Sequence, residues 1–169
     1  MAIVLDGNNT LTSGVLNSLY NTVGTGTTAL VTGIPVGVKR ITISLNSVSM
    51  NSPGWFSMQL GAGSIQTTGY TGYLSCLYST GSVANASFPS SAFYASNPSG
   101  TNAQQGVITL INAGSYTWIM SASISMPGAS RTNTAAGQVT LSGNLDRFQF
   151  LDTSSGVAFL SGSITTLYE

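Results

Sequence analysis

The sequence predicts an all-β protein: an antiparallel jelly-roll-like β-sandwich with an extended or partly helical N-terminal arm. Three observations predict it. Short apolar runs recur with a period of two, the spacing at which strand side chains alternate between faces. Clusters of Gly, Pro, Ser and Asn punctuate these runs. Helical periodicity is almost missing. Short strands joined by glycine-bearing turns close most naturally into two packed sheets.

The first candidate element is the exception. In Thr12 to Tyr20 the side chains Val15, Leu16, Leu19 and Tyr20 share a helical face, with Thr12 or Ser13 as N-cap. This predicts a helix of one or two turns within an arm spanning residues 1–33, and a sandwich domain over 34–169. Pro35 and Gly37 then mark a turn before Val38–Leu45, a strand with Ile41, Ile43 and Leu45 inward. Ser57–Leu60 is the next strand. Gln66–Tyr78 holds one or two more, broken near Gly69 or Gly72. Residues 79–106 read as a long loop, containing Phe88-Pro89 and Asn97-Pro98-Ser99-Gly100. A loop that long is unusual in a compact domain, so it either hides a short strand near Ala92–Tyr94 or reaches out to a partner.

Val107–Ile111 reads as a short buried run. Thr117–Met126 carries the clearest signal: Trp118, Met120, Ala122, Ile124 and Met126 alternate with Ile119, Ser121, Ser123 and Ser125, until Pro127-Gly128 stops the strand. Gln138–Leu141 and Leu145–Leu151 flank Gly143-Asn144 and read as a tight hairpin, with Phe148 and Phe150 on one face. Ile164–Tyr168 completes eight or nine strands.

Charge is the second theme. Four basic and four acidic residues make up 5% of the 169 residues, with a net charge of zero, where a typical domain carries about a quarter charged residues. Such a surface repels its neighbours weakly. It suits a protein packed against other proteins. Exposed strand edges are normally guarded by charge, and this chain has few guards, so oligomerisation is the expected cover.

The same inventory excludes much chemistry. The chain has no histidine, which removes His-based nucleophilic triads, His zinc sites and the commonest general base. Cys76 is the single cysteine, in an apolar stretch; no internal disulfide is possible, and it reads as a small buried hydrophobe. Asp146 and Asp152 flank one strand, about 20 Å apart along it, too far for the roughly 5–10 Å of a glycosidase pair. Asp146 is expected to cap the Gly143-Asn144 turn or to pair with an arginine. Lys39 and Arg40 are adjacent and should point to opposite sheet faces, one inward or at an interface. An inward arginine needs an acidic partner, so Arg40 or Arg147 is expected to meet Asp146, Asp152 or Glu169. These five residues, Lys39, Arg40, Asp146, Arg147 and Asp152, are structural or interface candidates; no catalytic, cofactor or metal site is expected.

Gly24-Thr25-Gly26 and Gly61-Ala62-Gly63 lack the Lys and helix of a phosphate loop and read as turns. Four dispersed basic residues do not draw nucleic acid. Trp55, Tyr70, Tyr73, Tyr78, Phe93 and Tyr94 read as core or interface rather than as stacking platforms. The longest apolar runs are four or five residues, against roughly 18 for a membrane-spanning helix, and the first basic residue is Lys39, unlike a secretory signal. Synthesis and assembly in a cytoplasm-like compartment are expected.

Four segments in order carry a resemblance. They are Met1-Ala2-Ile3-Val4-Leu5-Asp6-Gly7, then Gly37-Val38-Lys39-Arg40-Ile41-Thr42-Ile43, then Leu60-Gly61 with Ile65-Gln66-Thr67-Thr68-Gly69-Tyr70. The last is Leu141-Ser142-Gly143-Asn144-Leu145-Asp146-Arg147-Phe148-Gln149-Phe150 with the ending Gly162-Ser163-Ile164-Thr165-Thr166-Leu167-Tyr168-Glu169. Together they resemble tailed-bacteriophage virion structural proteins, of the tail-fibre-like, minor structural and capsid decoration kind. The likeness covers most of residues 34–169 and is weakest in the middle. Family members often carry an acid beside Phe before the final Gly; residues 156–162 here have none.

The resemblance implies a non-enzymatic protein of the virion, assembled in the host cytoplasm. The expected role is a capsid decoration or cement protein. It would be a homo-oligomer, a trimer by the habit of jelly-roll virion proteins, held on the major capsid protein or other virion proteins, with the arm as the docking segment. The alternative is a tail fibre or receptor-binding module that contacts the host surface.

Overall fold

Alternation decides the structure. In the strand Thr117–Met126 the side chains of Trp118, Met120, Ala122, Ile124 and Met126 are buried, while Ile119, Ser121 and Ser123 are exposed. The same rule places Ile41, Ile43 and Leu45 inward from Arg40–Met50. The computed structural model describes residues 17–22, 26–97, 102–153 and 157–169.

Among the described residues there are thirteen strands. They are β1 (Asn17–Thr22), β2 (Thr28–Thr32), β3 (Arg40–Met50), β4 (Phe56–Ala62), β5 (Ser64–Ile65), β6 (Thr71–Tyr78) and β7 (Val83–Ser87), followed by β8 (Phe93–Ser96), β9 (Gln104–Gly114), β10 (Thr117–Met126), β11 (Arg131–Thr140), β12 (Arg147–Asp152) and β13 (Phe159–Tyr168). An eight-stranded sheet runs in the order β1-β13-β3-β9-β10-β11-β6-β7, and a smaller one in the order β2-β12-β4-β5, with β8 added on β4. All pairings are antiparallel. The two sheets pack as the expected sandwich.

One core lies between them. Ile41, Ile43, Leu110, Trp118, Met120 and Ile124 come from the large sheet, and Phe56, Met58, Leu60, Phe148 and Phe150 from the small one. Each fully buried side chain of this size contributes about 1.5–3 kcal/mol relative to exposure. Phe56 stacks on Phe150 at 4.8 Å and meets Phe159 edge-on at 6.0 Å, the geometries that ring quadrupoles favour. Cys76 is buried here with a free thiol.

Several expectations need correction. Gln138–Leu141 and Leu145–Leu151 are not a hairpin. β11 already has β10 and β6 on its two sides, and β12 has β2 and β4. The chain between them crosses from the large sheet to the small one, with Leu141 and Leu145 buried at the corner. A hairpin and a corner share the same local pattern, so only the neighbours distinguish them. The long loop contains two strands, β7 and β8, the second close to the expected Ala92–Tyr94. Tyr20 and its three predecessors belong to β1, paired with β13, rather than to a helix; Thr12–Leu16 lie outside the described residues. Within residues 1–33, β1 and β2 add edge strands to the two sheets.

Val107–Ile111 is not a buried run but the middle of the eleven-residue β9, in which Val107 and Ile111 are 43% and 48% exposed. Its second apolar face looks outward from the centre of the large sheet. Pro127–Ala129 forms the expected stop, a single 3-10 turn closed by Ser130 in the left-handed region.

Candidate interaction surface

The charged residues do not converge. Asp146 and Arg147 pair with each other: Arg147 Nε donates to Oδ1 at 2.8 Å and Nη2 to Oδ2 at 3.0 Å. The Gly63 backbone N–H also donates to both carboxylate oxygens at 3.1 Å. Asp146 therefore caps the Ala62–Ser64 turn between β4 and β5, not the Gly143-Asn144 turn. The Arg147 guanidinium, hydrogen-bonded to the carboxylate, holds Asp146 below the usual aspartate pKa and raises that of Arg147 in turn. Asp152 sits at the far end of the continuous strand β12, beside Gly54, so the two aspartates remain apart.

Lys39 precedes β3 and Arg40 opens it, and both are exposed. Neither is inward, because the strand alternation begins only after Lys39. Arg40 meets Glu169 through the backbone: the Arg40 N–H donates to the Glu169 carbonyl at 3.1 Å, and the Glu169 N–H returns a bond of 2.9 Å. Among the described residues no group of three or more Cys, Asp or Glu could hold a metal, and no helix is long and apolar enough to cross a membrane.

The aromatic candidates divide. Tyr70 and Phe93 pack edge-on in the core at 4.8 Å. Trp55 and Tyr94 stack at 4.1 Å, and Tyr78 carries the Arg131 guanidinium over its ring at 5.6 Å. Tyr73 alone of these is largely open, 70% exposed.

Tyr73 belongs to a feature the sequence reading missed. The outer face of the large sheet is not covered by the small sheet. Its cross-strand rows follow from the register. One row runs Thr42, Thr109, Ser121, Ala136, Tyr73, Ser87, and the next runs Ser44, Val107, Ser123, Thr134, Ser75, Asn85. The flanking rows bring Ile111 opposite Ile119, and Leu77 opposite Val83. Tyr73, Leu77, Val83, Val107, Ile111 and Ile119 are all exposed on this face. Arg40 and Glu169 stand at one corner, and no other charged residue falls in these rows. Small side chains at Ser121, Ser123, Thr134 and Ala136 leave an open depression of about 630 Å³, bordered by Tyr73 and Asn85. β7, Val-Ala-Asn-Ala-Ser, ends the sheet without a charge on its edge.

The signal for this face was present in the sequence: β9 and β10 carry apolar residues at both parities. Without the strand order, those residues could not be placed side by side. Comparison with protein-family models, curated proteins and solved structures finds no match to this chain.

Proposed function

We propose that this protein is a non-enzymatic structural subunit of a bacteriophage particle, a decoration or cement protein that strengthens the head by protein–protein contacts. The observation that carries this reading is the outer face of the large sheet, apolar and hydroxyl-rich, with charges only at its ends, Arg40 and Glu169 at one corner and Arg131 beside Leu77 and Thr132. Exposed apolar patches beyond a few hundred Å² mark interaction sites, and an unguarded edge such as β7 invites strand pairing. A surface of this kind is stable in a particle that covers it. The sequence resemblance to tailed-phage virion proteins supplies the kind of particle, and with it the partners: further copies of the chain, in a trimer, on the major capsid protein. The dispersed carboxylates and the lack of histidine fit a protein without catalysis.

A second reading is a tail-fibre or receptor-binding module. Tyr73 favours it, because an open aromatic ring beside hydroxyls and Asn85 presents both an apolar platform and hydrogen-bonding groups to a neutral sugar.

Immunogold labelling of whole particles, with copies counted by gel densitometry, tests both. Hundreds of copies on the head are expected. A few copies at the tail favour the second reading, and a protein missing from purified particles rejects both.

A further inference from the structure

We infer that the outer face of the eight-stranded sheet is an interface between copies of this chain, with another copy's apolar and hydroxyl-bearing surface seated on Ile119, Ser121, Ser123 and Val107. This deepens the structural-subunit reading above and rests on it for the setting, not for the contact itself.

Three observations select a second copy as the occupant. The first is area. Seven strands, β13 to β7, at about 4.8 Å each, and four outward positions at about 6.7 Å each, give an outline of about 900 Å². A stable protein–protein interface takes about 800 Å² per partner, so the face is large enough alone. The second is charge. Arg40 and Glu169 stand at one corner and Arg131 at the end beside Leu77 and Thr132, so a like surface can cover the centre without burying an unpaired ion, which would otherwise cost several kcal/mol. A strongly charged partner would find nothing to pair with. The third is shape and chemistry. Ile111 and Ile119, Val107, and Leu77 and Val83 stand above rows of Ser, Thr and Ala. Ridges of this kind fit the depression at Ser121, Ser123 and Thr134 on an identical face. A chain of zero net charge has little long-range repulsion to oppose that approach.

The test uses the full chain with three substitutions. Ser123→Arg and Ile119→Asp place a charge at the centre of the face, on side chains already exposed, so the fold should persist. Val36→Arg places one at another exposed apolar residue, 78% exposed and outside the rows of this face, in the connection between β2 and β3. Light scattering after size exclusion gives the mass, and circular dichroism checks the fold. The wild type and Val36→Arg are expected at the mass of two copies, because a face seated on an identical face closes as a pair. Ser123→Arg and Ile119→Asp are expected as folded monomers, with self-association weakened about 100-fold or more. A wild type that stays monomeric at 100-µM scale overturns the inference, as does an oligomer that both face variants leave intact. Particle labelling separates the two ideas. Labelled virions with a monomeric free protein would sink this contact and keep the structural role; a face-dependent oligomer absent from virions would do the reverse.

Discussion

Gly72 of β6 and Gly137 of β11 face each other across the pair, and the ring of Phe88 lies over both in the space their side chains would occupy. The Phe88 N–H donates to the Gly72 carbonyl at 2.9 Å, tying the ring's backbone to the strand it covers. An aromatic ring packed on opposed glycines restores the apolar cover that those residues lack. A methyl at Gly137 would strike Phe88 and the Thr71 carbonyl. Gly137→Ala should therefore destabilise by about 1–3 kcal/mol, measured by urea unfolding. The loss should shrink in a Phe88→Ala background, and an equal loss there would show that the ring is not the obstacle.

Tyr70 ties the β4 strand to the turn that follows it. Its hydroxyl accepts the Leu60 N–H at 2.8 Å and donates to the Gln66 carbonyl at 2.9 Å. Tyr70→Phe leaves the buried Leu60 donor unsatisfied and should cost about 1–3 kcal/mol. Burial pushes the hydroxyl's pKa up to about 12. Because the folded value lies above the unfolded one, the neutral form's contribution is complete below the unfolded tyrosine pKa near 10 and is lost as pH rises towards 12. The stability gap between wild type and Tyr70→Phe should thus hold at neutral pH and narrow in alkali. A gap that widens above pH 10 would contradict this sign.

The Asp146–Arg147 pair works in the opposite direction. Its carboxylate is depressed by Arg147 and by the Gly63 N–H, so its contribution is present above the unfolded aspartate pKa and lost as pH falls through the lower folded value. The side chains are 36% and 30% exposed, so the effect is small. Asp146→Asn should lose less than about 1 kcal/mol at pH 7, and the difference should vanish in acid. Thermal melts across the acid range would show this, and a loss that grows with acid would contradict it.

The β9–β10 hairpin turns through Ser115 and Tyr116, with φ of 46° and 61°. Two positive values match a type I′ turn, which favours Asn-Gly, and a side chain held there costs about 1–2 kcal/mol per residue. Ser115→Asn combined with Tyr116→Gly should raise stability by about 1 kcal/mol. Denaturant midpoints with an unchanged slope would confirm it; a lower midpoint would mean that the Tyr116 ring, 44% exposed, contributes packing worth more than the strain.

Local periodicity made β3, β10 and the phenylalanine face of β12 legible, since alternation is a property of one strand and needs no partner. The lone buried thiol and the Asp146–Arg147 pair were within reach for the same reason: both depend on neighbours in sequence. β7 was missed because its Ala and Ser alternate too faintly to stand out. The hairpin assigned to Gly143-Asn144 failed because a turn between sheets looks the same locally as a turn within one.

Period-two patterning and glycine-bearing turns were enough to dictate a β-sandwich, because each follows from residue types and their local spacing alone. Tertiary structure decided which residues share a surface. Ile119 lies beside Ile111, and Ser121 lies two strands from Tyr73, only because β9, β10, β11 and β6 are adjacent in the sheet. Strand order is set by long-range pairing, which no local window of the chain encodes.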